Sequence, residues 1–93
     1  MEMETFDDVL DALSDTPAEA ANMKAQSDLH GALVEQVNSW NLSQEAAAAR
    51  LGITRPRLND LMRGKLSKFS LDALVNLATA AGLVLEIRVA VAA

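Results

Sequence analysis

The chain has no cysteine in its 93 residues, so neither a disulfide framework nor a thiolate metal site is available. His30 is the single histidine. It has no companion at metal-ligand spacing and reads as a structural residue on a helix. No apolar run approaches the ~20 residues that a membrane helix requires. The acidic start, MEMETFDD, is the opposite of a secretory n-region or a transit peptide, so a cytoplasmic location is expected. There is no glycine-rich phosphate loop. Glu2, Glu4, Asp7, Asp8 and Asp11 have no partner pattern for metal or acid–base work, and the four methionines form no stripe. No catalytic centre, metal, cofactor or small-molecule substrate is expected.

Aromatics are scarce too. Phe6, Trp40 and Phe69 are the only three, and alanine supplies much of the 51% hydrophobic content. One domain fits this length, with a modest core of Leu, Val and Ala. A partner subunit is compatible with such a core.

The net charge is −5, unevenly placed. Residues 1–42 carry nine acids and one base, net −8. Residues 43–69 carry six bases and two acids, net +4. The acidic part is either a solvated surface or a site for a cationic partner. The basic part suits an anionic partner.

Helix signals punctuate the chain. Thr5 caps a first short helix with Phe6, Val9, Leu10 and Leu13 on one stripe. That stripe suits either a docking helix or packing on the chain's own domain. Thr16, Pro17 and Glu19 mark the start of a long helix reaching about Trp40. Gly31 lowers its propensity by about 1 kcal/mol, which leaves a break around 27–31 open. Ser43 caps a third helix closed by Gly52, and Thr54 caps a fourth closed by Gly64. Ser70 caps a fifth closed by Gly82.

The period then changes to two. Leu83, Leu85, Ile87, Val89 and Val91 alternate with Val84, Glu86, Arg88 and Ala90, as in a β-strand. A lone strand needs a ladder. The economical partner is the same strand of a second copy, antiparallel across a two-fold axis. Residues Val84, Leu85, Glu86, Ile87, Arg88 and Val89 are the expected dimerisation strand. With the axis near Ile87, Glu86 lies opposite the partner's Arg88, a pair contributing about 0.2–1 kcal/mol.

The third and fourth helices carry the functional pattern. At about 100° per residue, Leu58, Leu61 and Met62 share one side of the fourth helix. Arg55, Pro56, Asn59, Asp60 and Arg63 share the other, with Arg57 at the boundary. The apolar side packs inward, so the polar side is free to enter a DNA major groove. Ala48 is small enough for close helix approach, Gly52 supplies the positive φ of the turn, and Ile53 plugs the gap.

Gln44, Ala48, Gly52, Leu58 and Leu61 stand in the order and spacing of the helix-turn-helix in phage-repressor-like (XRE/Cro-type) DNA-binding domains, which this segment resembles. The stretch from about 28 to 89, with Leu-Ser-Gln-Glu, Leu-Gly-Ile-Thr, Leu-Met-Arg-Gly-Lys and Lys-Phe-Ser-Leu, is similar to the HigA-type antitoxin branch. The resemblance covers roughly two thirds of the chain. It implies an all-α, five-helix phage-repressor-like domain with one C-terminal strand pairing across a homodimer. The expected organisation is an acidic helical segment at 1–26, a helix-turn-helix domain at 27–82 and a dimerisation strand at 83–93.

The resemblance puts Gln44 against the DNA backbone or a base edge. Thr54, Arg55, Pro56, Asn59, Asp60 and Arg63 fall on or near the groove-facing surface. Arg55 suits guanine and Asn59 suits adenine. Asp60 suits a cytosine amine, or else holds Arg63 or Arg57. Arg57, Lys65 and Lys68 suit phosphates. Pro56 departs from the polar residue usual in the family, and suits a thymine methyl. The implied partners are double-stranded operator DNA, a second copy of the chain, and a small basic RelE-like mRNA endonuclease. That toxin would meet the acidic segment, with Phe6, Val9, Leu10 and Leu13 as its expected docking stripe. A stand-alone regulator, or an interaction module without DNA binding, is the alternative.

Overall fold

A computed structural model describes residues 16–92. The expected first helix, with Phe6, Val9, Leu10 and Leu13, lies outside the described residues. Within them the order is α1 (Pro17–Ser39), α2 (Gln44–Leu51), α3 (Arg55–Met62), a 3-10 turn (Leu66–Lys68) and α4 (Leu71–Ala80).

Each helix starts where a short polar side chain can take an orphan backbone amide. Thr16 Oγ1 accepts from the Glu19 amide at 3.0 Å. Ser43, Thr54 and Ser70 accept from the amides of Ala46, Arg57 and Ala73 at 3.2, 3.2 and 3.1 Å. Pro17 and Pro56 sit in first turns, where a missing N–H costs nothing. α1 passes through residues 27–31 without a break. Gly31 itself faces open space. Contacts further along α1 outweigh its propensity cost.

Those contacts are of two kinds. Leu33 and Val37 enter a core with Ala47, Ala48, Leu51, Leu58, Leu61, Phe69, Leu74, Leu77, Ala78 and Ala81. Leu29, Trp40, Ile53, Met62 and Leu83 pack around it. No polar side chain is buried among the described residues. Three polar side chains of α1 then tie this helix to the backbone of later elements. Gln26 Nε2 donates to the Phe69 carbonyl at 2.9 Å, and Gln36 Nε2 to the Ala81 carbonyl at 3.0 Å. His30 Nε2 lies 2.7 Å from the Leu61 carbonyl, and since a carbonyl only accepts, Nε2 carries the proton. His30 therefore fastens α1 to the last turn of α3. His30→Ala is expected to cost about 0.5–1.5 kcal/mol, seen as a lower urea midpoint. The Leu61 carbonyl keeps the Gly64 amide as a donor, so the effect stays small.

The turn between α2 and α3 is closed by Gly52 at φ +75°. Its amide donates to the Ala49 carbonyl, and that of Ile53 to Ala48. A side chain at position 52 meets no neighbour, so the requirement is conformational rather than steric crowding.

Beyond Gly82 the structure differs from the strand expectation. Residues 83–92 form no regular secondary structure, and no ladder is present among the described residues of the single chain. One strand in one chain has nothing to pair with. Val84, Ile87, Val89 and Val91 are left largely exposed.

Candidate nucleic-acid interface

The turn at Gly52 sets the N-termini of α2 and α3 side by side. Gln44 is the first residue of α2 and Arg55 the first of α3. Together with Pro56 and Asn59 they line a shallow open concavity of about 400 Å³. Four residues singled out by sequence thus converge on one surface. Thr54 stands beside them as the cap of α3, its hydroxyl engaged by the Arg57 amide. Arg55, Pro56 and Arg63 are exposed, and Asn59 is half-buried. The reverse side of α3 is fixed by Leu58 and Leu61, both buried. A polar face held by a packed apolar one is what groove insertion requires.

The remaining predicted residues are not free in the same way. Arg57 is turned back onto its own domain. Its guanidinium donates to the Lys68 carbonyl at 2.9 Å and lies 4.0 Å over the Phe69 ring. Asp60 does not hold Arg63 or Arg57. Its two carboxylate oxygens meet Lys65 at 3.5 Å and Lys68 at 3.4 Å. Partial burial pushes the Asp60 carboxyl up, but the Lys68 hydrogen bond and the charges of Lys68 and Lys65 outweigh it. The net result lies below the ordinary carboxylate value. A depressed folded-state value means these pairs are intact above the unfolded-state value and are lost only as pH falls through the lower, folded one.

Other interactions have no local signal in the sequence. Arg50 lies 4.2 Å over the Trp40 ring and joins α2 to the end of α1. The α1 ties through Gln26, His30 and Gln36 are a second case. Among the described residues there is no cluster of His, Asp or Glu able to hold a metal. No helix there is long and apolar enough to cross a membrane.

The sequence matches the family described as "Helix-turn-helix domain" over residues 12–90. A solved structure named "Putative XRE Family Transcriptional Regulator" is similar at 35% identity. The match covers 80% of this chain and 83% of the other, with a TM-score of 0.72. The chain belongs to the XRE-type helix-turn-helix family. Among curated proteins none matches it. Membership explains the pairing of α2 with α3: the XRE-type helix-turn-helix is a DNA-binding unit whose second helix enters the major groove. In this XRE-type chain the second helix of the unit is α3.

Proposed function

We propose that the chain is a sequence-specific repressor that binds operator DNA as a two-fold dimer and serves as the antitoxin of a two-gene module. The observation that carries DNA reading is the convergence of Gln44, Arg55, Pro56 and Asn59 on one open surface between two helix N-termini. Arg55 and Asn59 read guanine and adenine edges. The N-terminus of α2, with Gln44, receives a backbone phosphate. Arg63 lies along the same face, and Lys65 and Lys68 flank it toward the phosphates. Arg57, held on Phe69, supports the turn from behind.

Selection from a random-sequence duplex pool tests this. Paired half-sites about 34 Å apart are expected, with binding that weakens steeply with salt. Recovery of no enriched sequence, with salt-insensitive behaviour, would favour the interaction-module reading.

The dimer strand is supported by what the single chain leaves uncovered. Val84 is 84% exposed, Ile87 77% and Val89 88%, an apolar edge that invites pairing. In the dimer Leu85, Glu86 and Arg88 complete the ladder. Ile87→Asp places two like charges near the axis. It is expected to weaken dimerisation at least about tenfold by analytical ultracentrifugation. Its effect on folding should be small, because Ile87 packs little in the monomer. A wild-type chain that stays monomeric at high concentration would contradict the strand.

The antitoxin role rests on the HigA-like sequence pattern and on the net −8 of residues 1–42. A nuclease that grips RNA is basic, and an acidic surface steers it. Co-expression with the adjacent small gene is the test: the two proteins should co-purify, and the neighbour alone should be toxic. Failure of both favours the second reading, a stand-alone transcriptional regulator. Similarity to a solved XRE-family transcriptional regulator supports that reading.

A further inference from the structure

Three helix ends among the described residues close by the same backbone bond. The amides of Ile53, Lys65 and Leu83 donate to the carbonyls of Ala48, Asp60 and Ala78 at 3.0, 3.0 and 2.9 Å. Such closures are frequently accompanied by an apolar contact between the two residues. Ile53 with Ala48 and Leu83 with Ala78 are apolar pairs that belong to the core or pack on it. The end of α3 departs from this. Its pair is Lys65 with Asp60, joined as ions at 3.5 Å, and the other Asp60 oxygen takes Lys68 at 3.4 Å.

Two lysines of the basic turn thus converge on one acid beside the DNA-facing surface. Arg57 pins the same turn through the Lys68 carbonyl. Exposed ion pairs of this kind add little to folding. An acid there also opposes the approach of phosphates. Its placement costs both an apolar closure and affinity, so its effect lies in how the positive charge is presented.

We propose that Asp60 is a specificity-determining residue, positioning Lys65 and Lys68 and cancelling part of their charge so that the turn grips phosphate only where α3 also makes its base contacts. This rests on the DNA-binding reading above. On an arbitrary duplex the turn offers two lysines with one net positive charge between them and Asp60, and non-specific binding stays weak. On the operator, base contacts hold α3 in register and bring the phosphates within reach of both ammonium groups. Discrimination then comes from a repulsive element as well as attractive ones.

The test compares wild type, Asp60→Asn, the Lys65→Ala/Lys68→Ala double variant and the combined triple variant. Each is titrated onto a duplex recovered by selection with the wild-type chain and onto a scrambled duplex of equal length. Asp60→Asn is expected to bind the scrambled duplex roughly 3- to 10-fold more tightly, with a log–log salt slope steeper by about 1. The selected duplex should gain less, so the specificity ratio falls. In the double-lysine background the effect of Asp60→Asn should shrink to the small part due to the carboxylate's own repulsion of phosphate. An unchanged ratio, or an equal gain on both duplexes, overturns the proposal, as does an undiminished effect without the lysines. A wild-type chain that binds neither duplex instead removes the DNA-binding reading itself. Circular dichroism of each variant separates these outcomes from loss of fold.

Discussion

Arg55→Ala is expected to abolish discrimination between operator and scrambled DNA at one position of each half-site. Arg55 opens α3, is exposed, and lines the concavity with Gln44, Pro56 and Asn59. A bidentate guanine contact contributes about 1–3 kcal/mol of discrimination, or roughly 5- to 150-fold per half-site. A dimer makes the contact twice, so the loss on a two-half-site operator is larger. Non-specific binding should fall far less, since one cation among several is removed. The side chain supports no core residue, and the melting midpoint should move little. Competition titrations with duplexes altered one base pair at a time check this. A uniform loss across all sequences would place Arg55 on a phosphate instead.

Leu61→Ala has the largest expected effect on stability. Leu61 is fully buried in the middle of the core, on the side of α3 opposite the concavity. Truncation of such a leucine costs about 2–5 kcal/mol. A domain of this size has only a few kcal/mol more than that in total. The melting midpoint should fall by at least ~8 °C, and the variant should be partly unfolded at 37 °C. Leu61→Met, which nearly conserves volume, should cost under about 1.5 kcal/mol. Because Leu61 also presents its carbonyl to His30, its displacement loosens the last turn of α3. DNA binding should therefore weaken in proportion to unfolding and recover on cooling. Calorimetry with parallel binding at two temperatures checks this, and a loss below about 1 kcal/mol would contradict the core placement.

What is readable in the sequence is what local chemistry determines. Thr16, Ser43, Thr54 and Ser70 each cap a helix through an amide three residues on, so a short window contains the whole interaction. Leu58 and Leu61 follow from helical period. The polar face of α3 follows from the same count, and its meeting with Gln44 follows from Gly52 and a short turn. The parts that are not readable depend on distant chain. Gln26, His30 and Gln36 bond residues 43, 31 and 45 positions away. Arg57 falls at the boundary between the faces of α3, and only the return of the chain at Phe69 decides which way it turns. Helical spacing alone points Asp60 toward the arginines near it on α3. The reversal at Gly64, with φ +75°, brings Lys65 and Lys68 to it instead. The alternation after Gly82 is plain in the sequence, but no ladder takes it up among the described residues.

The DNA reading proposed for this chain depends on α3 and the N-terminus of α2 forming one surface. Amide chemical-shift mapping of the full chain, titrated with a selected duplex, tests that most directly. The expected result is a set of large perturbations at Gln44, Thr54, Arg55, Asn59 and Arg63, with Lys65 and Lys68 following. α4 and the first two turns of α1 should change little. Perturbations concentrated on α1 or α4, with the amides around the concavity unmoved, would contradict the claim.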